Sequence, residues 1–120
     1  MQKKRLKSFN VLTTDEFLKD AKSIVKVYPG FRKDLQNLIA SLESNPATGN
    51  HLGNGIYKLR ISISGKPAGK SFGARVIYWI FTFRNTVFLL RVYDKSNKGD
   101  LTKDEMKNLV EAVRLLKEKF

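Results

Sequence analysis

The chain has 120 residues, an apolar fraction of 42% and no cysteine, which fits one folded domain and excludes disulfides and thiolate metal sites. Its 23 Lys and Arg against 11 Asp and Glu leave a net charge of +12, an excess that calls for a polyanionic partner: nucleic acid, an anionic membrane surface or an acidic protein. No apolar run approaches the ~20 residues of a membrane span, and the opening MQKKRLKSFN has no apolar core, so neither a membrane segment nor a signal peptide is expected and a cytoplasmic setting is.

Residues 8–14 (SFNVLTT) read as a first strand. Thr13 with Glu16 forms a capping box, and Phe17, Ala21, Ile24, Val25 and Tyr28 follow at helical spacing until Pro29-Gly30 ends the helix. A second helix is predicted from 31 to 44, with Phe31, Leu35, Leu38, Ile39 and Leu42 on one face, so that the two helices form a hairpin packed on a sheet. The Asn, Pro and Gly content of residues 45–54 (NPATGNHLGN) predicts a loop. From Ile56 the run IYKLRISIS alternates strictly, with Tyr57, Leu59, Ile61 and Ile63 of one parity and Lys58, Arg60 and Ser62 of the other, the mark of a strand with one polar face. Beyond the basic loop GKPAGKSFG, two nearly continuous β-branched and aromatic runs, ARVIYWIFTF and VFLLRVYD, flank a tight Arg84-Asn85-Thr86 turn and read as inner antiparallel strands covered on both faces. After a polar connector, Thr102 and Glu105 make a capping box that opens a last helix with Met106, Leu109, Val110, Val113 and Leu116 inward. The predicted order is β-α-α-β-β-β-α: a single α+β domain over residues 1–120 with a small antiparallel or mixed sheet of about four strands, a helical hairpin on one face and a C-terminal helix.

Two motifs fail on inspection. Gly65 to Ser71 (GKPAGKS) has three residues between its glycines where a phosphate-binding P-loop needs four, and it feeds a strand instead of a helix N-terminus. Asp94 to Glu105 has the length of a calcium loop, but Lys98 stands where a ligand oxygen is required and a strand precedes it. His51 is the one histidine and reads as a solvated loop residue, so no Cys/His nucleophile or zinc site exists, and no nucleophile elbow supports a Ser/His/Asp triad. What remains is a set of cations that punctuate the strands: Lys58, Arg60, Arg75, Arg91 and Lys95. Interior strands carry so many charges only where an open face or a strand end needs them. Arg75 is the most pointed case, since it shares its parity with Ile77, Trp79 and Phe81, and a charge on an apolar face has a partner or a job.

The stretch from Gly53 to Leu101 resembles the RelE/HigB family of bacterial type II toxins, within the RelE/ParE superfamily. The resemblance is carried by Lys58-Leu59-Arg60, Gly69-Lys70-Ser71, Gly73-Ala74-Arg75-Val76-Ile77-Tyr78, Leu89-Leu90, Val92-Tyr93-Asp94-Lys95 and Asp100-Leu101, in that order and in the matching elements. It implies an endoribonuclease, an mRNA interferase that cuts ribosome-bound message without metal or small-molecule cofactor, inhibits translation and is neutralised by a cognate antitoxin protein, with mRNA and ribosome as its other partners and no membrane. Metal-free cleavage uses the neighbouring 2′-hydroxyl as nucleophile and leaves a 2′,3′-cyclic phosphate, so the protein must align the attack and stabilise charge on the phosphoryl oxygens. By their place in the motifs, Arg60 and Arg75 would clamp the phosphate, since guanidinium forks suit its oxygens. Lys58 would be a proton acceptor or electrostatic partner, because a lysine crowded by cations loses its proton more readily. Lys95 would be the second candidate for proton transfer and Tyr93 a stacking or acid group. Lys66, Lys70 and Arg91 would touch the RNA backbone.

The residues alone also admit plainer roles: Lys58 and Arg60 as a solvated strand face, and Tyr93 as a core residue with a wet hydroxyl. Ser71 and Phe72 depart from the family's basic, Gly-rich loop. Two rival functions accompany the toxin ribonuclease: a ParE-like gyrase poison on the same fold, and a basic module that holds RNA or ribosome without cutting.

Overall fold

A computed structural model gives the architecture and describes residues 8–69 and 71–120. The elements run β1 (Asn10–Thr13), α1 (Asp15–Val27), α2 (Phe31–Ser44), β2 (Asn50–Gly53), β3 (Ile56–Ile61), β4 (Ala74–Phe81), β5 (Thr86–Asp94) and α3 (Lys103–Lys119). The α+β class and the helical hairpin are as expected, but the sheet has five strands, in the order β1-β5-β4-β3-β2. The additional strand is β2, in the stretch read as a loop. Its pairing with β3 breaks register between His51 and Gly53, and so short and irregular an edge carries no periodic signal. β1 lies parallel to β5, and every other pairing is antiparallel, so the sheet is mixed.

The first helix begins one residue later than the Thr13–Glu16 pattern suggests. Thr14 is its N-cap, with the hydroxyl accepting from the Phe17 amide at 3.2 Å and itself donating to the Leu89 carbonyl at 3.0 Å. The second of these bonds ties the helix start to β5, which decides between two adjacent threonines that sequence cannot separate. The Thr102–Glu105 capping box forms as expected, and α3 places Asp104 and Glu105 in its first turn and Lys117 and Lys119 in its last, matching the helix dipole.

The sheet separates two cores. On one face Phe17, Ala21 and Ile24 of α1 and Phe31, Leu35, Leu38 and Leu42 of α2 pack on Ala74, Val76, Tyr78, Val87, Leu89 and Val92. On the other, Leu109 and Val113 of α3 cover Ile56, Ile77, Trp79, Phe88 and Leu90. Leu42 is fully buried, and its truncation to Ala would cost about 2–5 kcal/mol. Opposite Ile77 and Tyr78 the pairing slips: Tyr78 faces Leu89 while Ile77 faces Arg91, so Leu90 is an extra residue in β5.

Where β1 stops, α1 takes over the edge of β5. The Asp20 carboxylate accepts the Val92 amide at 3.1 Å and a bidentate pair from Arg91, with Nε at 2.6 Å and Nη2 at 3.1 Å. This contact caps an edge amide that would otherwise be unpaired.

Candidate functional site

The α3 side of the sheet turns from apolar to cationic beyond the end of the helix. In the register of the three central strands, Arg60, Arg75 and Tyr93 lie side by side across β3, β4 and β5, and Lys58 is one row further in, beside Ile77. Because residues paired across strands point to the same face, all four belong to the α3 side, where Ile77 and Trp79 continue the row into the second core. Lys95 follows just beyond the strand, its amide bonded to the Gly73 carbonyl at 3.0 Å. Close approach of β3 and β4 at this end depends on Gly73, since a Cβ there would sit 2.6 Å from the Ile61 carbonyl oxygen.

Exposure divides the roles. Arg60 is open to solvent, whereas Arg75 is 5% exposed, with Nη1 donating to the Ala74 carbonyl at 3.4 Å. Lys58 and Lys95 converge on one carboxylate. Asp100 Oδ1 lies 3.0 Å from Lys95 Nζ and 3.8 Å from Lys58 Nζ. The hydrogen bond from Lys95, with the charges of Lys95 and Lys58, holds the Asp100 carboxyl below its ordinary range. Tyr93 is half-buried, its hydroxyl has no hydrogen-bond partner among the described residues, and Lys98 Nζ sits 5.6 Å from its ring centre. Burial, with a smaller contribution from Asp100, pushes the Tyr93 phenol above its usual value, so the proton stays on. Lys98 covers one face of this half-buried ring.

The geometry therefore gathers Lys58, Arg60, Arg75, Tyr93 and Lys95 and leaves the proposed backbone contacts apart. Lys66 is a correction. Its ammonium is bonded to both Asp94 oxygens at 2.9 Å and to the Ser96 hydroxyl, stands 5.4 Å from the Tyr28 ring centre, and has a side chain only 9% exposed. It staples the loop to the end of β5 and is not presented to a phosphate backbone. Burial alone would raise the Asp94 carboxyl, but hydrogen bonds from Ser96 and Lys66 outweigh it and hold the group below its usual range. Arg91 is likewise committed to Asp20, whose hydrogen bond raises the guanidinium's already high pKa, and it sits outside the cluster. Lys70 lies outside the described residues. His51 belongs to β2 and not to a loop; its Nε2 accepts from the Gly55 amide at 3.1 Å and its ring lies 4.9 Å from Tyr57, on the face opposite the cations.

Sequence reasoning missed Asp100 as a member of the site. It stands in the polar connector and in the motif Asp100-Leu101, and nothing in its spacing shows that the connector folds back over two lysines. A second concavity, of about 1180 Å³, runs between α3 and the β1–β5 edge, lined by Leu12, Phe88, Leu90, Leu109, Leu115 and Phe120 among others. Among the described residues no helix is long and apolar enough to cross a membrane.

No protein-family model matches the chain. Among solved structures, it aligns with an arginine-to-alanine double mutant of the E. coli toxin RelE in the free state, with a TM-score of 0.56 and 16% identity over 76% of this chain and 87% of that one. The isolated E. coli RelE toxin aligns with a TM-score of 0.54 and 15% identity over 87% of this chain and 98% of the toxin. The likeness is one of architecture: the chain has the RelE toxin fold.

Proposed function

We propose that the protein is the toxin of a type II toxin–antitoxin pair and acts as a metal-independent endoribonuclease on ribosome-bound message. The observation that carries the reading is the convergence of Lys58, Arg60, Arg75, Tyr93 and Lys95 on one sheet face beyond the end of α3. A phosphodiester centred there meets guanidinium donors from Arg60 and Arg75, which take up the charge that grows on the non-bridging oxygens. The 2′-oxygen attacks phosphorus as its proton passes to a lysine in its neutral amine form, Lys58 being the first candidate and Lys95 the second. The bond to the 5′-oxygen breaks, and Tyr93, which keeps its proton, supplies it to the leaving oxygen. The products are a 2′,3′-cyclic phosphate and a 5′-hydroxyl.

The +12 charge supports a polyanionic substrate, and it equally suits a partner protein that inhibits through an acidic segment laid across Arg60, Arg75 and Lys95. Initiation-ready ribosomes carrying a defined message test the function. Cleavage with cyclic phosphate ends supports it. Message that is bound but intact makes the protein a non-catalytic module, and breakage of supercoiled DNA in the presence of gyrase makes it a gyrase poison.

A further inference from the structure

The Asp100 carboxylate stands where the proposed substrate would place an anion. It receives Lys95 Nζ at 3.0 Å and lies 3.8 Å from Lys58 Nζ, while its own side chain is 75% exposed. An ammonium makes the same short, charge-assisted contact with a carboxylate oxygen as with a phosphate oxygen, so the two anions compete for one position. The connector that carries Asp100 is anchored on both sides of it. Before it, Asp94 is held by Lys66 and by the amide and hydroxyl of Ser96; after it, Glu105 is held by Lys98 and by the capping box. Asp100 can thus leave the lysines without unfolding β5 or α3. So exposed a pair adds little to the stability of the fold, and its effect falls on the occupancy of the site.

We propose that Asp100 is an internal occupant of the phosphate position, a carboxylate that an incoming phosphate must displace, and that it thereby sets how tightly the site holds its substrate. This rests on the nuclease reading for the identity of the substrate, though the competition itself concerns any phosphate. It also gives the connector a reason to fold back: part of the vacant site's charge is balanced, and unspecific polyanions meet a filled position.

The test compares the parent chain with Asp100→Asn and Asp100→Glu. Two probes are used: inorganic phosphate, followed through the lysine ammonium resonances, and a fully 2′-O-methylated RNA oligonucleotide, which binds but offers no nucleophile. Asp100→Asn binds both probes about two- to fivefold more tightly, the range set by losing an exposed ion pair, and Asp100→Glu stays close to the parent. The melting temperature of the variants stays unchanged. Unaltered or weaker phosphate binding by Asp100→Asn overturns the proposal. Tighter phosphate binding with no RNA bound by any of the three chains upholds the internal competition, and the nuclease reading is then decided on initiation-ready ribosomes.

Discussion

Arg60 stands directly opposite Arg75 on the neighbouring strand, and both point to the face that carries Tyr93. Like charges in this arrangement repel at Cβ separations of about 5 Å, and an anion bound over the pair would ease that repulsion. Replacing Arg75 with Ala is expected to slow single-turnover cleavage by ~10²–10³ while the circular dichroism spectrum is unchanged. A companion measurement reads the same site without chemistry. Sulfate taken up at this pair should raise the melting temperature of the parent more than that of Arg75→Ala. A variant that cuts at the parent rate removes Arg75 from the site.

Tyr93 allows structure and chemistry to be pulled apart. Its buried hydroxyl has no partner among the described residues, so Tyr93→Phe should leave stability unchanged or raise it by about 1 kcal/mol. A hydroxyl kept only for packing would leave the rate unchanged as well. If it donates the proton to the leaving oxygen, cleavage falls by ~10²-fold or more as the melting temperature holds. Burial raises its pKa, so the parent's pH–rate profile should show no loss assignable to this phenol at or below its ordinary value of 10.0.

Lys66→Met strands the Asp94 carboxylate in a site where both side chains are less than a tenth exposed, and should cost about 3 kcal/mol by urea denaturation at pH 7. The Asp94 carboxyl titrates lower in the folded than in the unfolded chain. Its contribution is therefore complete above the ordinary value of 3.8 and disappears as pH falls through the folded value. The difference between the parent and Lys66→Met should narrow below that pH. The same variant should leave the salt dependence of RNA binding in place, whereas a lost phosphate contact would flatten its slope by about 0.7.

Asp20→Ala removes the acceptor of the Val92 amide on the edge that β1 leaves open, and the expected loss is about 1–2 kcal/mol. Arg91→Ala should cost less than 1 kcal/mol, because its half of the pair is half-exposed. Amide hydrogen exchange at Val92 is the decisive measurement. It should quicken in Asp20→Ala and change little in Arg91→Ala, and neither variant should slow cleavage.

The strands and helices were legible wherever one face is buried and the other is wet. Alternation in β3 placed Lys58 and Arg60 together and parity placed Arg75 with Ile77 and Trp79, but only the register shows that the two sets share one side of the sheet. Failures occurred where two residues of like chemistry compete or where tertiary partners decide. Thr14 caps α1 instead of Thr13 because Leu89 offers it a second bond. β2 is held to β3 by pairing that leaves no pattern in four residues. Lys66 looked like a loop cation free to meet phosphate, but Asp94, 28 residues away in sequence, captures it. Asp100, named only as part of a family motif, went unassigned to the site for the same reason: a return contact onto Lys95 depends on the path of a connector, which composition does not encode.

The extra residue in β5 fixes more than a local bend. Side chains along a strand alternate, so from Leu89 onward an uninterrupted count would send Tyr93 toward the helical hairpin and Val92 toward α3. The insertion at Leu90 reverses that parity, and Val92 joins the first core while Tyr93 comes to lie beside Arg75. The length between Leu89 and Tyr93 is consequently matched to the bulge. Were the same residues to pair without the bulge, a phenol and an isopropyl group would exchange surroundings, and the acid would be separated from its clamp. A homologue with the right residues but the wrong parity at this point would keep the fold and lose the chemistry.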